Sequence, residues 1–343
     1  MTKRERLERT LSLEPADKVP FVPAVYEHKA RLVGRSPSEV CRSSDLLLEA
    51  LEKELEIYDP DALTVGIDVY NVEAEAAGCE VRYFGRDPDV PAVAAPLLGG
   101  PGELGKLGRL DPARDGRMPL FVETAARLRK DRGRDLVVRG ALTGPFSLAS
   151  AVAGSEGLLV ATVEDPAFVR GLVAWAARTA VDLGTAYLER GVEPVLFDSK
   201  ASPAAASPRV FREFVLPAYR DVVIPALGRA GAKGTPLIIG GDTTAILGDL
   251  IGTGAPQLLC DAGADLVAFL GRCRAERRAL RASVDARLVH SGPPEAIRAE
   301  ARRILAAAEG QPGFLFGCGV VAYDCDPRNV IALREARDAF GRP

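Results

Sequence analysis

Histidine is almost missing: among 343 residues only His28 and His290 occur. A mechanism built on several histidines, whether acid–base pairs or a two-histidine metal centre, has almost no material here. Carboxylates, arginines and cysteines must carry the chemistry. The six cysteines are scattered and none forms a CxxC pair, which argues against a disulfide scaffold or a compact zinc finger and fits a reducing compartment. No run reaches the roughly 18 to 20 uncharged apolar residues of a membrane span. Charge of one sign is not in excess either. With a formal net charge of −3 and no basic tract, the chain offers no electrostatic case for nucleic acid. No GxGxxG turn follows an apolar segment, which weakens an open doubly wound sheet as the runner-up fold. The opening MTKRERLERTLSLE has helical period and no apolar core of a secretion signal, so a cytoplasmic protein is expected.

What is present is alternation. The chain is 47% hydrophobic, enough for one large α/β domain over residues 1–343. Short apolar segments at 19–25, 62–67, 136–139, 194–197, 235–239, 257–259, 280–284 and 314–316 read as strands, each followed by a helical pattern. Eight such units without a linker predict parallel strands closing into a single (β/α)8 barrel. The stretch Thr235–Thr244, TPLIIGGDTT, is the clearest case: apolar residues run into two glycines, a carboxylate and two threonines that can open a helix. Thr2 is expected to cap a first helix, and Pro166–Arg190 carries apolar residues at helical spacing. The Pro-, Gly- and Asp-rich region 86–119 reads as a long excursion within the domain.

Certain stretches, in this order and spacing, resemble the uroporphyrinogen decarboxylase superfamily, which includes the methylcobalamin:coenzyme M methyltransferases. They are Asp68–Gly78 (DVYNVEAEAAG), Gly144–Ala149 (GPFSLA), Phe214–Pro217 (FVLP), Gly241–Leu247 (GDTTAIL), and Gly317–Cys318 ahead of Pro327–Val330. The resemblance implies an eight-stranded barrel with its site at the strand C-terminal ends. It also exposes departures. Members that decarboxylate uroporphyrinogen carry Met-Arg-Gln-Ala-Gly-Arg after the first strand, where this chain reads Tyr26-Glu27-His28-Lys29-Ala30-Arg31. Thiol methyltransferase members hold zinc with a His-x-Cys pair and a later cysteine. Here the first two places are Ile238 and Gly240, and only Cys318 remains, far short of four ligands.

The acidic residues that end strands are the first site candidates. Asp68, Asp198 and Asp242 are expected to face the pocket as catalytic groups, with Asp261 and Asp285 following other strands. Several carboxylates in one pocket raise each other's pKa unless some face away or Lys29, Arg139, Lys200 or a bound cation neutralises them. His28, at the end of the first segment, is a candidate acid–base group or ligand, with a structural histidine as the alternative. Cys318 reads as a nucleophile or surviving ligand, or as a small buried apolar residue. A substitute zinc site from Cys260, Cys318, a carboxylate and His28 is conceivable. Glu73 and Glu75 alternate, so on an extended segment they share a face. With Asn71, Arg139 and Asp261 they are the substrate-binding candidates. His290 reads as a loop residue, and Arg272–Arg281 as a solvated helix face.

The expected activity is one-carbon methyl transfer with cobalamin, or with a corrinoid on a partner protein, acting on a small-molecule substrate. Two alternatives stand beside it: a decarboxylase of a carboxylated small molecule or tetrapyrrole-like substrate, using a buried acid as proton donor, and a non-catalytic binding subunit of a corrinoid methyltransferase system. A homodimer is left open; a membrane or nucleic-acid partner is not expected.

Overall fold

Side-chain alternation along seven short strands organises the fold, seen in a computed structural model that describes residues 1–342. The strands are Ala62–Val65, Val137–Thr143, Glu193–Phe197, Pro236–Ile238, Gln257–Cys260, Ala279–Val284 and Phe314–Cys318. All pair in parallel, and their order in the sheet is their order in the chain. Sequential addition with a constant strand twist curls such a sheet into a half-barrel. Register is tight, with Ala62 opposite Val137, Leu258 opposite Leu280 and Val284 opposite Cys318.

Outward-facing Leu63, Val138, Leu142, Leu196, Leu258, Leu280 and Phe316 pack under the surrounding helices in one large apolar cluster. Inside the curl lie two smaller clusters. Leu7, Val22, Ala62, Val137, Ala279 and Leu315 fill the end where the strands begin, plugged by helix Lys3–Leu11. Ala24, Tyr26, Val69, Val195, Phe197, Ile238 and Leu259 line the end where they finish. Thr2 and Glu5 close a reciprocal capping box on the first helix, as the sequence predicts.

The segment expected as the first of eight strands lies between the two edges of the sheet without joining a ladder. Phe21 bridges Phe316, Ala24 bridges Val320, and the backbone N–H of Asp61 donates to the Phe21 carbonyl at 2.8 Å. Pro20 and Pro23 supply no N–H, so only isolated bridges form. Contact is nonetheless close: a side chain at Gly317 would overlap the Val22 carbonyl. A buried carboxylate fastens this seam. Asp61 accepts from Arg6 Nη1 at 2.5 Å, from Arg337 Nη1 at 3.1 Å and from the Phe21 N–H at 2.7 Å.

No single helix is long and apolar enough to cross a membrane. Helix Pro166–Leu188 matches its expected span closely. The turn after TPLIIGG differs: a 3-10 turn at Thr244–Ile246 precedes a short helix at Leu247–Gly252.

Candidate functional site

Where the strands end, the half-barrel encloses a cavity of about 230 Å³. Its wall is built from residues at and just beyond the ends of successive strands: Ile67 to Asn71, Phe197 and Ser199, Ile238 and Gly240, Leu259 and Asp261, with Arg281, Gly319 and Val320. Ala24, Tyr26 and Glu27 complete it from the seam. Tyr26 and Phe197 meet edge to face, with ring centroids 5.2 Å apart, and form an apolar floor. A second cleft of about 400 Å³ adjoins it and shares Tyr70, Asn71 and Ser199. Between the two, Tyr70 Oη and Ser199 Oγ share a hydrogen bond of 2.5 Å, which makes this pair the partition.

The strand-end acids have different fates. Asp68 reaches the cavity wall but is gripped by the buried Arg117, with Nη1 3.1 Å from Oδ1 and Nη2 2.7 Å from Oδ2. Burial pushes its pKa up while Arg117 pulls it down. Asp198 does not face the cavity. Its oxygens accept from the free backbone N–H groups of Ser147 at 2.7 Å and Phe146 at 3.3 Å, at the start of helix Pro145–Ala153, and from Tyr219 Oη at 2.7 Å. A side chain on Gly144 would collide with that carboxylate, so glycine is needed at this helix entry. Asp242 also stands outside: it is exposed and accepts from the Thr244 N–H at 3.0 Å, which holds its pKa low. Asp285 caps helix Ala286–Ser291. Asp261 does reach the wall and accepts the Gly241 N–H at 2.9 Å.

The pair Glu73 and Glu75 does not share a face. The segment Val72–Ala76 is helical rather than extended, and two positions along a helix point in different directions. Glu73 is buried and accepts from the Thr143 N–H at 2.6 Å, with Thr143 Oγ1 2.6 Å from its second oxygen. Thr143 Oγ1 is also 3.0 Å from the Val69 carbonyl, which can only accept. The Thr143 hydroxyl is thus shared between Glu73 and the Val69 carbonyl; burial pushes the Glu73 pKa up while its two bonds from Thr143 pull it down. Glu75 turns the other way, to Arg117 and to Tyr83 Oη at 2.5 Å. Asn71 touches the cavity, with its amide donating to the Pro91 carbonyl.

His28 is a structural residue. Its Nδ1 is 3.0 Å from both the Ala322 and Tyr323 carbonyls, so that nitrogen holds the proton, and Nε2 accepts from Tyr58 Oη at 2.6 Å. Burial lowers its pKa further. His290 belongs to a short helix and pairs with Asp324 at 3.0 Å on the surface. Lys29 is also occupied: it donates to the Thr64 and Gly66 carbonyls and pairs with buried Glu54 at 3.3 Å.

Cys260 and Cys318 fail as metal ligands for a geometric reason. Both belong to the outward, helix-facing cluster, and strand alternation gives the cavity wall to Leu259 instead. Burial pushes each thiol up to about 12. Ile238 and Gly240 offer no donor, and His28 has both nitrogens engaged. Among the described residues no group of three or more His, Cys, Asp and Glu is placed to hold a metal. The donor set does not fit zinc.

Three residues that the sequence did not single out matter here. Arg117, in the long excursion, is the counter-ion of Asp68. Arg281, expected on a solvated helix face, lies on strand Ala279–Val284 and points into the curl. It is buried, donates to the Val22 carbonyl at 3.3 Å, and leaves its Nε without a partner. Close by, Arg139 donates to Gln257 Oε1 at 3.0 Å; burial and the charge of Arg281 push its pKa down to about 10. Glu27 is the third. It is half-buried on the cavity wall, and burial pushes its carboxyl up to about 6.

These features can be set against known proteins. The sequence model for uroporphyrinogen decarboxylase (URO-D) matches residues 2–340. The methylcobamide:CoM methyltransferase MtaA of Methanosarcina barkeri is 25% identical over 99% of this chain and 98% of its own length. A uroporphyrinogen decarboxylase of Aromatoleum aromaticum is 28% identical over 95% of this chain and 93% of its own. A solved methyltransferase from Methanosarcina mazei superposes with a TM-score of 0.88 at 24% identity, each chain covered to 99%, which speaks to the fold. With both methyltransferases and decarboxylases among its relatives, and without the His-x-Cys zinc pair, the chain belongs to the uroporphyrinogen decarboxylase family.

Proposed function

We propose that this protein transfers a methyl group between a corrinoid and a small acceptor held in the central cavity. The supporting observation is the size and lining of that cavity. At about 230 Å³ it lies below the roughly 300–1,000 Å³ of pockets for drug-sized ligands. Its wall is mainly apolar, with a few polar groups converging on it, as suits a compact acceptor. The relatives named methylcobamide:CoM methyltransferases over nearly their whole length supply the donor class. In this reading the corrinoid is a methyl-donating substrate, free or on a partner protein, that meets the open mouth. The Pro20–Val25 segment fills the gap between the two edges of the half-barrel through isolated bridges. Asp261, Asn71 and Arg281 orient the acceptor, while Asp68, locked to Arg117, shapes the wall.

The test is spectroscopic. Purified protein mixed with methylcobalamin and small thiols or methoxy compounds should convert the methylcobalamin spectrum to that of the demethylated corrinoid. An unchanged spectrum across the acceptor panel overturns the reading. One observation favours a second reading: Glu27, a carboxyl with a pKa near 6 on the cavity wall, suits a proton donor in the decarboxylation of a small carboxylated substrate. That reading predicts carbon dioxide release without any corrinoid.

A further inference from the structure

We propose that Glu27 is the proton acceptor of this methyl transfer, taking the hydrogen of a thiol seated in the central cavity; the inference rests on the methyl-transfer reading above. It begins with how Glu27 is placed. The residue precedes helix His28–Leu32 at the capping position, yet its side chain makes no capping bond. Asp165, Asp265, Asp285 and Asp326 stand at equivalent places, and each accepts a backbone N–H from its own helix. Glu27 instead lies against the cavity.

The other acids on that wall are engaged. Asp68 is held by Arg117 and Asp261 by the Gly241 N–H. The charged and titratable groups around Glu27 come from several elements: Tyr26 and Lys29 from its own segment, Asp68 and Tyr70 from beyond Ala62–Val65, Asp261 from beyond Gln257–Cys260, and Arg281 from Ala279–Val284. Lys29, the nearest cation in sequence, is committed to Glu54. Glu27 is thus the acid of the cavity that no other residue of the protein engages by a hydrogen bond. Burial keeps its pKa close to 6, where a base is useful near neutral pH.

The remaining wall explains why a base is needed. Ile238 and Gly240, the positions where the family resemblance places zinc ligands, line the same cavity and offer no donor. A thiol there cannot be activated by that metal design, which leaves a side-chain base as the means the protein itself can offer. The S–H proton passes to the Glu27 carboxylate, giving a thiolate and a carboxylic acid. The thiolate sulfur then bonds to the methyl carbon of the methylcorrinoid as the cobalt–carbon bond breaks, and its electron pair stays on cobalt, which leaves as cobalt(I). Glu27 returns its proton to solvent. The Arg281 guanidinium, contributed by the same wall, is placed to favour the thiolate.

The experiment follows methylcobalamin demethylation by 2-mercaptoethanol as a function of pH, in wild type, Glu27→Gln and Glu27→Asp. The wild-type rate should rise through about pH 6 and level off. Glu27→Gln should lose about 10²- to 10⁴-fold in rate together with that pH limb. Glu27→Asp should recover part of the rate and show the limb again, a result that a merely structural role does not produce. A Glu27→Gln variant within about threefold of wild type, with the same pH profile, overturns the assignment while methyl transfer stands. A wild type that leaves methylcobalamin untouched with this and every other acceptor overturns both.

Discussion

Arg117 grips Asp68 with both arms of its guanidinium, and both side chains are buried. The same cation reaches Glu75, so a single arginine from the long excursion pairs with two acids of the DVYNVEAEAAG stretch. Removing the cation alone strands a buried charge. Arg117→Met should cost about 3–5 kcal/mol in urea unfolding. Combined with Asp68→Asn, the loss should fall well short of the sum of the single losses, because the double variant leaves no buried charge at position 68, and the part-exposed Glu75 keeps Tyr83. Strict additivity would show that the pair is not coupled.

A second buried carboxylate holds the seam of the half-barrel. Asp61 ties helix Lys3–Leu11, the proline-broken segment and helix Pro327–Phe340 through Arg6, Phe21 and Arg337. Asp61→Ala leaves the Phe21 N–H and two buried guanidinium groups without this partner. Arg6 keeps Asp17 and Arg337 keeps Asp338, so the expected loss is about 3 kcal/mol rather than the upper end for a buried pair. Equilibrium unfolding measures it; a loss below about 1 kcal/mol would place the strength of the seam elsewhere.

Seven of the eight strand positions were readable because short apolar runs bounded by Gly, Pro and Asp leave few alternatives, whereas the proline-broken segment 19–25 forms only isolated bridges. The helix ends were readable for the same local reason, as at Thr2 and Glu5. The site was only partly legible. Asp68, Asn71 and Asp261 do reach the cavity, whereas Asp198 and Asp242 satisfy backbone N–H groups, a task that looks identical in sequence. Cys260 and Cys318 sit one residue out of phase with the wall, so a single step in register decides between ligand and packing. Arg117 and Arg281 owe their roles to contacts spanning 49 and 259 residues, with Asp68 and Val22, which no local pattern encodes. Glu73 and Glu75 part company because Val72–Ala76 is a five-residue helix, too short for its period to show in the sequence.

The cysteines give a prediction with a simple readout. All six are buried, and burial raises Cys41, Cys260, Cys273 and Cys318 to about 12. A thiol reagent at pH 8 should therefore titrate almost none of them in the folded protein and all six after denaturation. Cys318→Ala should retain methyl-transfer activity within about threefold, because its sulfur faces the helix layer. Rapid labelling of Cys318 in the native state, or a loss of activity above about tenfold, would bring its sulfur back into the site.

Glu27 also has a thermodynamic signature, separate from any rate. Its pKa rises from 4.5 in the unfolded chain to about 6 in the folded protein, so the native state binds the proton more tightly. Below pH 4.5 the carboxyl is protonated in both states and contributes nothing. As pH rises through 6 the native state must hold a poorly solvated charge, at a cost of about 2 kcal/mol from the size of the shift. Glu27→Gln removes that charge. The variant should be up to about 2 kcal/mol more stable than wild type in urea unfolding at pH 7.5, with the difference vanishing near pH 4. A stabilisation that is lost on acidification, alongside impaired transfer, is the pattern of a residue kept for chemistry at the expense of folding. Equal stability at both pH values would mean that the carboxyl is fully solvated in the native protein.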